Sequence, residues 1–464
     1  MVNWDAITAY FPEIRKPEVA RLSFNTKLIW TGIILLLYFI LSYVPLYGLG
    51  QNALQQFEYL AIILGASFGS VISLGIGPIV TASIVMQLMA GSGMLGLDTS
   101  TAEGRQKFQA IQKIAIIVFI LFESIIYVIM GGLAPDPALA GTTLFAGLQL
   151  TLILQLALGA YMIVLMDEIT SKWGFGSGVG LFIAAGVALQ IFVRAFNPLP
   201  SPQNPDVPVG AIPYLFQALG QGEPTGATIA IVGIVATVVV FLVSVYAQAM
   251  KVEIPLSFGR LRGYGMRWPL RFFYTGNIPV ILIAALLANV QLWARLLQNA
   301  GYPFLGTYSG NVPATGLVKW VNSPDVVTSI VTGAVNSDGI MQIVIYSTLM
   351  IVGSVVFSVL WVQTANMSAE SQAKQILSSG LQIPGFRKDP RVLESVLNRY
   401  IPGLTVMGGA AVGALAVLAD LGGALSRGTG ILLTVMIVHK MYEDIAKQHA
   451  MDIHPALRKV IESD

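Results

Sequence analysis

The chain has 464 residues, 55% of them hydrophobic and only 11% charged, whereas a water-soluble protein averages about 25% charged. At a mean hydropathy of +0.73 there is too little polar side chain to clothe the cores that a soluble chain of this length would build, so a soluble globular protein is excluded. The absence of cysteine removes disulfides, thiolate nucleophiles and thiolate metal sites together. The three histidines all follow residue 438, which leaves little for metal ligation or proton relay within the apolar segments.

A helix rising 1.5 Å per residue needs about 20 apolar residues to cross a hydrocarbon layer about 30 Å thick. Apolar runs separated by charged or Pro/Gly-rich breaks predict ten spans, near 28–47, 72–91, 114–133, 144–166, 176–196, 227–250, 275–297, 340–363, 401–420 and 428–446. The first is read as a true span rather than a cleaved signal peptide, because its apolar stretch runs from Leu28 to Val44 and further spans follow. Between Phe57 and Gly91 the chain is apolar for about 35 residues, punctuated by Gly65, Gly69, Gly75 and Gly77-Pro78. That is too long for one span and too short for two with a turn. The expectation is a short helix over Leu54 to Ser67 that does not cross, then the second span from Ile72. One long tilted helix is the alternative.

The third span carries Glu123, the one acid plainly inside a span. Its burial costs about 2.5–3.5 kcal/mol on insertion scales, so it needs a partner, as a structural hydrogen-bonding group or as an ion ligand. Asp167-Glu168, at the end of span four, read as a solvated loop pair. The long outer loops Asn197 to Thr225 and Gln298 to Gly339 are expected to be ordered coils, and the inner loops Lys251 to Tyr274 and Thr364 to Asn398 are long and basic.

The net charge of +2 hides a strong polarity. With the N-terminus inside, every Lys and Arg except Arg194, Arg295, Lys319 and Arg427 falls on one side of the membrane. Basic loops stay cytoplasmic, so both termini are expected in the cytoplasm.

Ten spans divide into five and five. Gly77-Pro78-Ile79-Val80-Thr81, then Gln87, on span two has a counterpart in Asn277-Ile278-Pro279-Val280-Ile281, then Asn289 and Gln291, on span seven. Likewise Gly176-Ser177-Gly178 opens span five and Gly428-Thr429-Gly430 opens span ten. Halves of odd span number insert in opposite directions, so this is an inverted repeat, with its site at the interface of spans two, five, seven and ten. Ile76, Val80 and Gln87 share one helical face, as do Ile281 and Ala285. The lining is aliphatic apart from Thr81, Gln87 and Asn289, and no ionisable group reaches the middle of these four spans.

The strings Leu74-Gly75-Ile76-Gly77-Pro78-Ile79-Val80-Thr81, Asp167-Glu168-Ile169, Gly176-Ser177-Gly178, Val252-Glu253-Ile254-Pro255-Leu256, Asn277-Ile278-Pro279-Val280, Arg399-Tyr400-Ile401-Pro402, Gly428-Thr429-Gly430 and Lys440-Met441-Tyr442-Glu443 together resemble the SecY family of its archaeal branch, in order and spacing from Lys27 to Pro455. The resemblance implies an all-α polytopic membrane protein, with ten transmembrane helices in two pseudo-symmetric inverted halves around a central hourglass pore. The halves would be residues 1–196, including a plug at 54–67, and residues 197–464, including cytoplasmic loops 251–274 and 364–398. It implies a pore ring of Ile76, Val80, Val179, Ile183, Ile281 and Leu433, and a lateral gate between spans two and seven with Thr81, Gln87 and Asn289. Ribosome contacts would come from Arg260, Arg262, Arg387, Lys388, Arg391 and Arg399, although basic loops beside membrane helices equally suit anionic lipid. The implied partners are two small single-span subunits, one SecE-like and one beta, together with the ribosome and nascent secretory and membrane chains bearing signal sequences. The implied activity is passive polypeptide translocation across the cell membrane, with apolar segments released sideways into lipid.

Elementary chemistry agrees with an aliphatic lining. A pore that passes every side chain cannot offer fixed hydrogen bonds or charges, which would hold some residues and reject others. A hydrophobic constriction also stops ions by dewetting. A secondary transporter would need ionisable partners at the interface of the halves, and an intramembrane enzyme would need a catalytic or metal constellation; the sequence offers neither. No Gly-x-x-x-x-Gly-Lys-Ser/Thr loop occurs, so no nucleotide hydrolysis, cofactor or metal is expected, and the driving force must come from a partner.

Overall fold

A computed structural model of the chain describes residues 14–19, 22–50, 69–91, 94–96, 101–200, 206–258, 265–309, 312–334, 336–378, 381–382, 389–426 and 428–453. The long helices, in chain order, are α1 Phe24–Tyr43, α2 Gly77–Gly91, α3 Ala102–Ile129, α4 Thr143–Trp173, α5 Gly178–Phe196, α6 Pro224–Ala249, α7 Ile278–Asn299, α8 Ser337–Thr364, α9 Pro390–Leu421 and α10 Gly428–Ile453. Eight are long and apolar enough to cross a membrane. The other two, α2 and α10, fall where the second and tenth spans are expected. α2 has only 15 residues, and the inner half of α10 carries Lys440, Glu443 and Asp444.

α2 starts five residues later than the expected span because the chain before it runs through successive tight turns. Ser73, Gly75 and Gly77 donate backbone N–H bonds to the carbonyls of Ser70, Ile72 and Leu74. Gly75 has φ +54°, a left-handed conformation that glycine adopts without a Cβ clash. Pro78 lacks an N–H and is best placed in a first helical turn. The expected plug, 54–67, lies outside the described residues. The chain on either side of it is stapled together, since Leu46 N–H donates to Gly69 O at 2.8 Å and Val71 N–H to Val44 O at 2.9 Å.

The packing repeats. In the first five helices α2 packs on α3, α3 on α4, α4 on α5, and α1 on both α4 and α5. In the second five α7 packs on α8, α8 on α9, α9 on α10, and α6 on both α9 and α10. Contact between the two sets runs through α2 against α7 and α8, and through α10 against α5 and α1. Spans two, five, seven and ten thus meet where the repeat in the sequence places them. The most apolar stretch of α7 is 72% buried, against 17% in α1 and α6, which makes α7 central and leaves α1 and α6 as outer helices whose apolar faces suit lipid.

Helix contacts in a bilayer favour small residues, because lipid is as apolar as the helices and close van der Waals approach must supply the attraction. α8 and α9 meet in this way, with Ser354 and Ser358 facing Gly409 and Gly413. A Cβ on Gly409 would stand 2.9 Å from Ser358 Cβ, and overpacking of that kind costs about 1–3 kcal/mol.

The inner and outer loops are more structured than coils. Strands β1 Lys251–Phe258 and β2 Gly265–Arg271 form an antiparallel hairpin in register Lys251↔Arg271 through Ser257↔Gly265. Leu381–Gln382 adds to the other edge of β1. The hairpin, the helix Ala369–Ser378 and the inner turns of α9 share a second core made of Ile254, Leu270, Ala373, Ile376, Leu393 and Leu397. Tyr274 ties this platform to the end of α8 by donating its hydroxyl to Met367 O at 2.6 Å. Burial pushes its phenol up to about 12, so it stays a donor at neutral pH. The outer loops contain the helices Ala211–Gln221, Leu317–Val321 and Val326–Val331 and a two-residue strand pair.

Candidate functional site

The six aliphatic residues assigned to a ring come from four helices and meet in one apolar cluster. Ile76, Val80, Ile183 and Leu433 are buried in it, with Val179 and Ile281 half-buried against it. Ile76 precedes α2 but stays in register with it, since the Val80 N–H donates to Ile76 O at 3.0 Å.

α5 and α10 cross symmetrically. A Cβ on Gly180 would stand 3.5 Å from the Ile437 side chain, and one on Gly430 would stand 3.2 Å from Val187. Each helix therefore offers a glycine notch to a branched side chain of the other. Ile183 and Leu433 lie between notch and branched residue, all on one face at i, i+3 and i+7. The structural equivalence pairs Gly178 with Gly428, the first residues of the two helices. It is shifted by two residues from the match of Gly176 with Gly428 that the strings suggest.

Against the cluster lies a cavity of about 530 Å³ whose walls are the inner ends of α2, α3, α5, α7, α8 and α10. Val80, Val179 and Ile281 line it where it meets the cluster, while Arg105, Gln109, Lys440 and Asp444 supply polar wall. This is the side on which the basic residues gather. The space is thus a polar-rimmed funnel ending on an aliphatic collar.

Two of the three expected gate residues are joined. Asn289 on α7 donates its amide N–H to Thr81 Oγ1 on α2 at 3.1 Å, and the Thr81 hydroxyl donates to Gly77 O at 2.9 Å. The buried Glu123 of α3 belongs to the same group. Its carboxyl is in hydrogen-bonding reach of Thr81, and its Oε2 lies where a Cβ on Gly77 would come within 3.2 Å. Glu123 therefore has the structural partner that its burial demands. Gln87 stands apart, about 9 Å further along α2 at 1.5 Å per residue. It is buried, lines the cavity, and its Oε1 has no hydrogen-bond partner among the described residues.

Asp167, expected to be solvated, is held instead by the start of α5, accepting the Val179 N–H at 2.9 Å. Glu168 bridges Lys113 at 3.3 Å and Lys172 at 2.9 Å and accepts the Ile14 N–H. Of the expected ribosome contacts, Arg391 and Arg399 are exposed on α9, which begins eleven residues before the expected span. Arg260, Arg262, Arg387 and Lys388 lie outside the described residues. His439 sits 3.6 Å from Glu443, which also pairs with Arg271. Among the described residues no group of side chains could hold a metal ion.

These features define a multi-pass helical membrane protein of the channel class, with an internal cavity that ends on an apolar cluster. Residues 70–442 match the SecY family model and residues 36–69 match that of the plug domain of Sec61p; the chain belongs to the SecY family. Protein translocase subunit SecY of Methanothermobacter thermautotrophicus is 45% identical over 463 residues, 99% of this chain and 98% of that one. A solved structure described as a protein-conducting channel aligns over 97% of this chain and 98% of its own at 41% identity and TM-score 0.82. Sec61 in the canine ribosome–channel complex from the endoplasmic reticulum aligns over the same shares at 40% identity and TM-score 0.79.

Proposed function

We propose that this protein is the pore-forming subunit of a protein-conducting channel, which passes unfolded polypeptides through the collar and releases apolar segments sideways between α2 and α7. The observation that carries the reading is the convergence of six aliphatic side chains from four helices at the end of a polar-rimmed funnel. Such a collar gives a moving chain nothing to bind and, when closed, gives ions no wet path. The halves are residues 1–196 and 197–464, and an even number of crossings with the basic loops inside supports cytoplasmic termini. The 36–69 match supports a plug on the outer side, at the end of α1 where the flanking chain is stapled.

The side gate is supported by the Thr81–Asn289 bond. It is weak by design, since an interhelical polar contact in lipid averages about 0.6 kcal/mol. The exposed Arg391 and Arg399, with the basic loops beside them, suit the phosphates of ribosomal RNA, and the canine relative is described in a ribosome–channel complex. Two single-span subunits, one SecE-like and one beta, complete the assembly, and the chain provides a path while catalysing no reaction. In vesicles carrying that assembly, a signal-bearing nascent chain should become protected from added protease. A chain that stays fully digestible would refute translocation.

A further inference from the structure

Two carboxylates outside the collar occupy equivalent places in the two halves. Near the inner end of α4, Asp167 Oδ1 accepts the Val179 N–H at 2.9 Å and the Ser177 hydroxyl at 3.3 Å. Near the outer end of α9, Asp420 Oδ1 accepts the Thr429 N–H at 2.8 Å, while its Oδ2 accepts the Tyr346 phenol at 2.6 Å and the Thr429 hydroxyl. In each half an acid on the fourth helix therefore caps the start of the fifth, from opposite sides of the membrane. Both helix starts are glycines pressed on the capping helix. A Cβ on Gly178 would stand 2.6 Å from Asp167 Cα, and one on Gly428 would stand 2.0 Å from the Ala419 carbonyl carbon.

The first N–H groups of a helix lack internal partners and favour an anion. A residue of the helix itself ordinarily meets that need. Here Ser177 stands at the cap position of α5 but makes no side-chain capping bond, and its hydroxyl donates to Asp167 instead. A cap from within the helix satisfies the N–H groups and leaves the helix free to slide; a cap from the neighbouring helix fixes one against the other. The capped turns lead straight to the collar. Val179 is itself a collar residue, Ile183 follows one turn on, and Leu433 follows one turn after Thr429.

We infer that Asp167 and Asp420 are a matched pair of positioning residues that set the height and rotation of α5 and α10, and thereby hold the collar shut. The inference rests on reading the collar as the constriction. Losing either cap lets a collar side chain drift from its partners and admits ions, without removing any collar atom.

The test uses the channel with its small subunits in vesicles, reading ion leak, protease protection of a nascent chain and thermal midpoint. Asp167→Ala and Asp420→Ala should each raise the leak several-fold while translocation continues. Asp167→Asn should stay near the parent, because one amide oxygen can accept both bonds now made to Oδ1. Asp420→Asn should leak to an intermediate degree, because an amide NH₂ replaces the oxygen that serves two hydroxyls. Gly409→Ala, in the contact of α8 with α9, neither of which carries a collar residue, should lower the thermal midpoint with no rise in leak.

The inference is overturned if the alanine variants conduct like the parent, or if Gly409→Ala leaks as much at an equal loss of midpoint. Should the alanine variants fail to accumulate, Ser177→Ala and Thr429→Val replace them under the same criteria. A parent that itself gives no protease protection would instead overturn the channel reading, so the two failures are separable.

Discussion

Replacing Ile76, Val80 and Ile281 together by glycine should convert a sealed protein into one that leaks ions in reconstituted vesicles. The three side chains enter one apolar cluster from the α2 and α7 side, and Val80 and Ile281 also line the adjoining cavity. Removing them opens the proposed apolar collar to water, and a wetted constriction no longer bars ions. Because each ~1.4 kcal/mol taken from a barrier raises a rate tenfold, lowering the permeation barrier by only twice that would be visible in a conductance trace. The substitutions also weaken packing, so thermal midpoints should be recorded alongside. Unchanged conductance in a folded triple variant would remove these residues from the constriction.

A second large effect is expected at the proposed side gate. Cysteines at Thr81 and Asn289 enter a chain that has no other cysteine, so a short crosslink between them is unambiguous. Closing it should abolish insertion of a signal helix, and cleaving it should restore insertion. The energetic basis is an imbalance. The native hydrogen bond of 3.1 Å contributes about 0.6 kcal/mol in lipid, while each Leu or Ile of an entering helix gains about 0.3–0.6 kcal/mol at the membrane centre. A single apolar turn can therefore part α2 from α7, whereas a covalent bond cannot be parted. Efficient insertion through fully crosslinked protein would place the exit elsewhere. Glu123 beside Thr81 makes the proposed gate a three-helix group, so Glu123→Gln, which keeps the length and a polar end of the side chain, should perturb it far less than Glu123→Ala.

The two expected effects draw on different parts of what the residues disclose unaided. Span positions are legible because a hydrocarbon slab imposes length and polarity on every crossing helix, and the paired Gly and Pro motifs disclose the repeat because close helix approach needs them at equivalent places. Thr81 and Asn289 are legible as lone polar groups on aliphatic faces. Asp167 is not, since a carboxylate beside a basic loop looks the same in sequence whether it is solvated or caps a neighbouring helix. Asp420, the last residue of the expected ninth span, passes unremarked because an acid at a span end reads the same whether water or the start of a neighbouring helix holds it. The usable signal is the recurrence of an acid upstream of each Gly-x-Gly, which becomes visible once the halves are registered by helix start. The β1–β2 hairpin is hidden because Pro255 and Pro269 interrupt its alternation and because its basic residues read first as a topology signal. The late start of α2 follows from the left-handed Gly75, which hydropathy cannot register.

A symmetric frame with an asymmetric task emerges. The five pairings of one half recur in the other, yet contact between the halves is of two kinds. On one side α5 and α10, each capped by the helix before it, interlock through reciprocal glycine notches, which suits a hinge that keeps its register. On the other, α2 meets α7 through a weak polar bond, which suits an edge that opens.

The proposed path takes the polypeptide through the collar itself. A secretory chain arrested during translocation should crosslink, under light, to a photoreactive residue at Ile76 and equally to one at Leu433, which reach the collar from opposite sides. Both adducts should vanish when the arrested chain lacks a signal sequence. Crosslinks confined to the outer faces of α1 and α6, with none at the collar, would contradict the account.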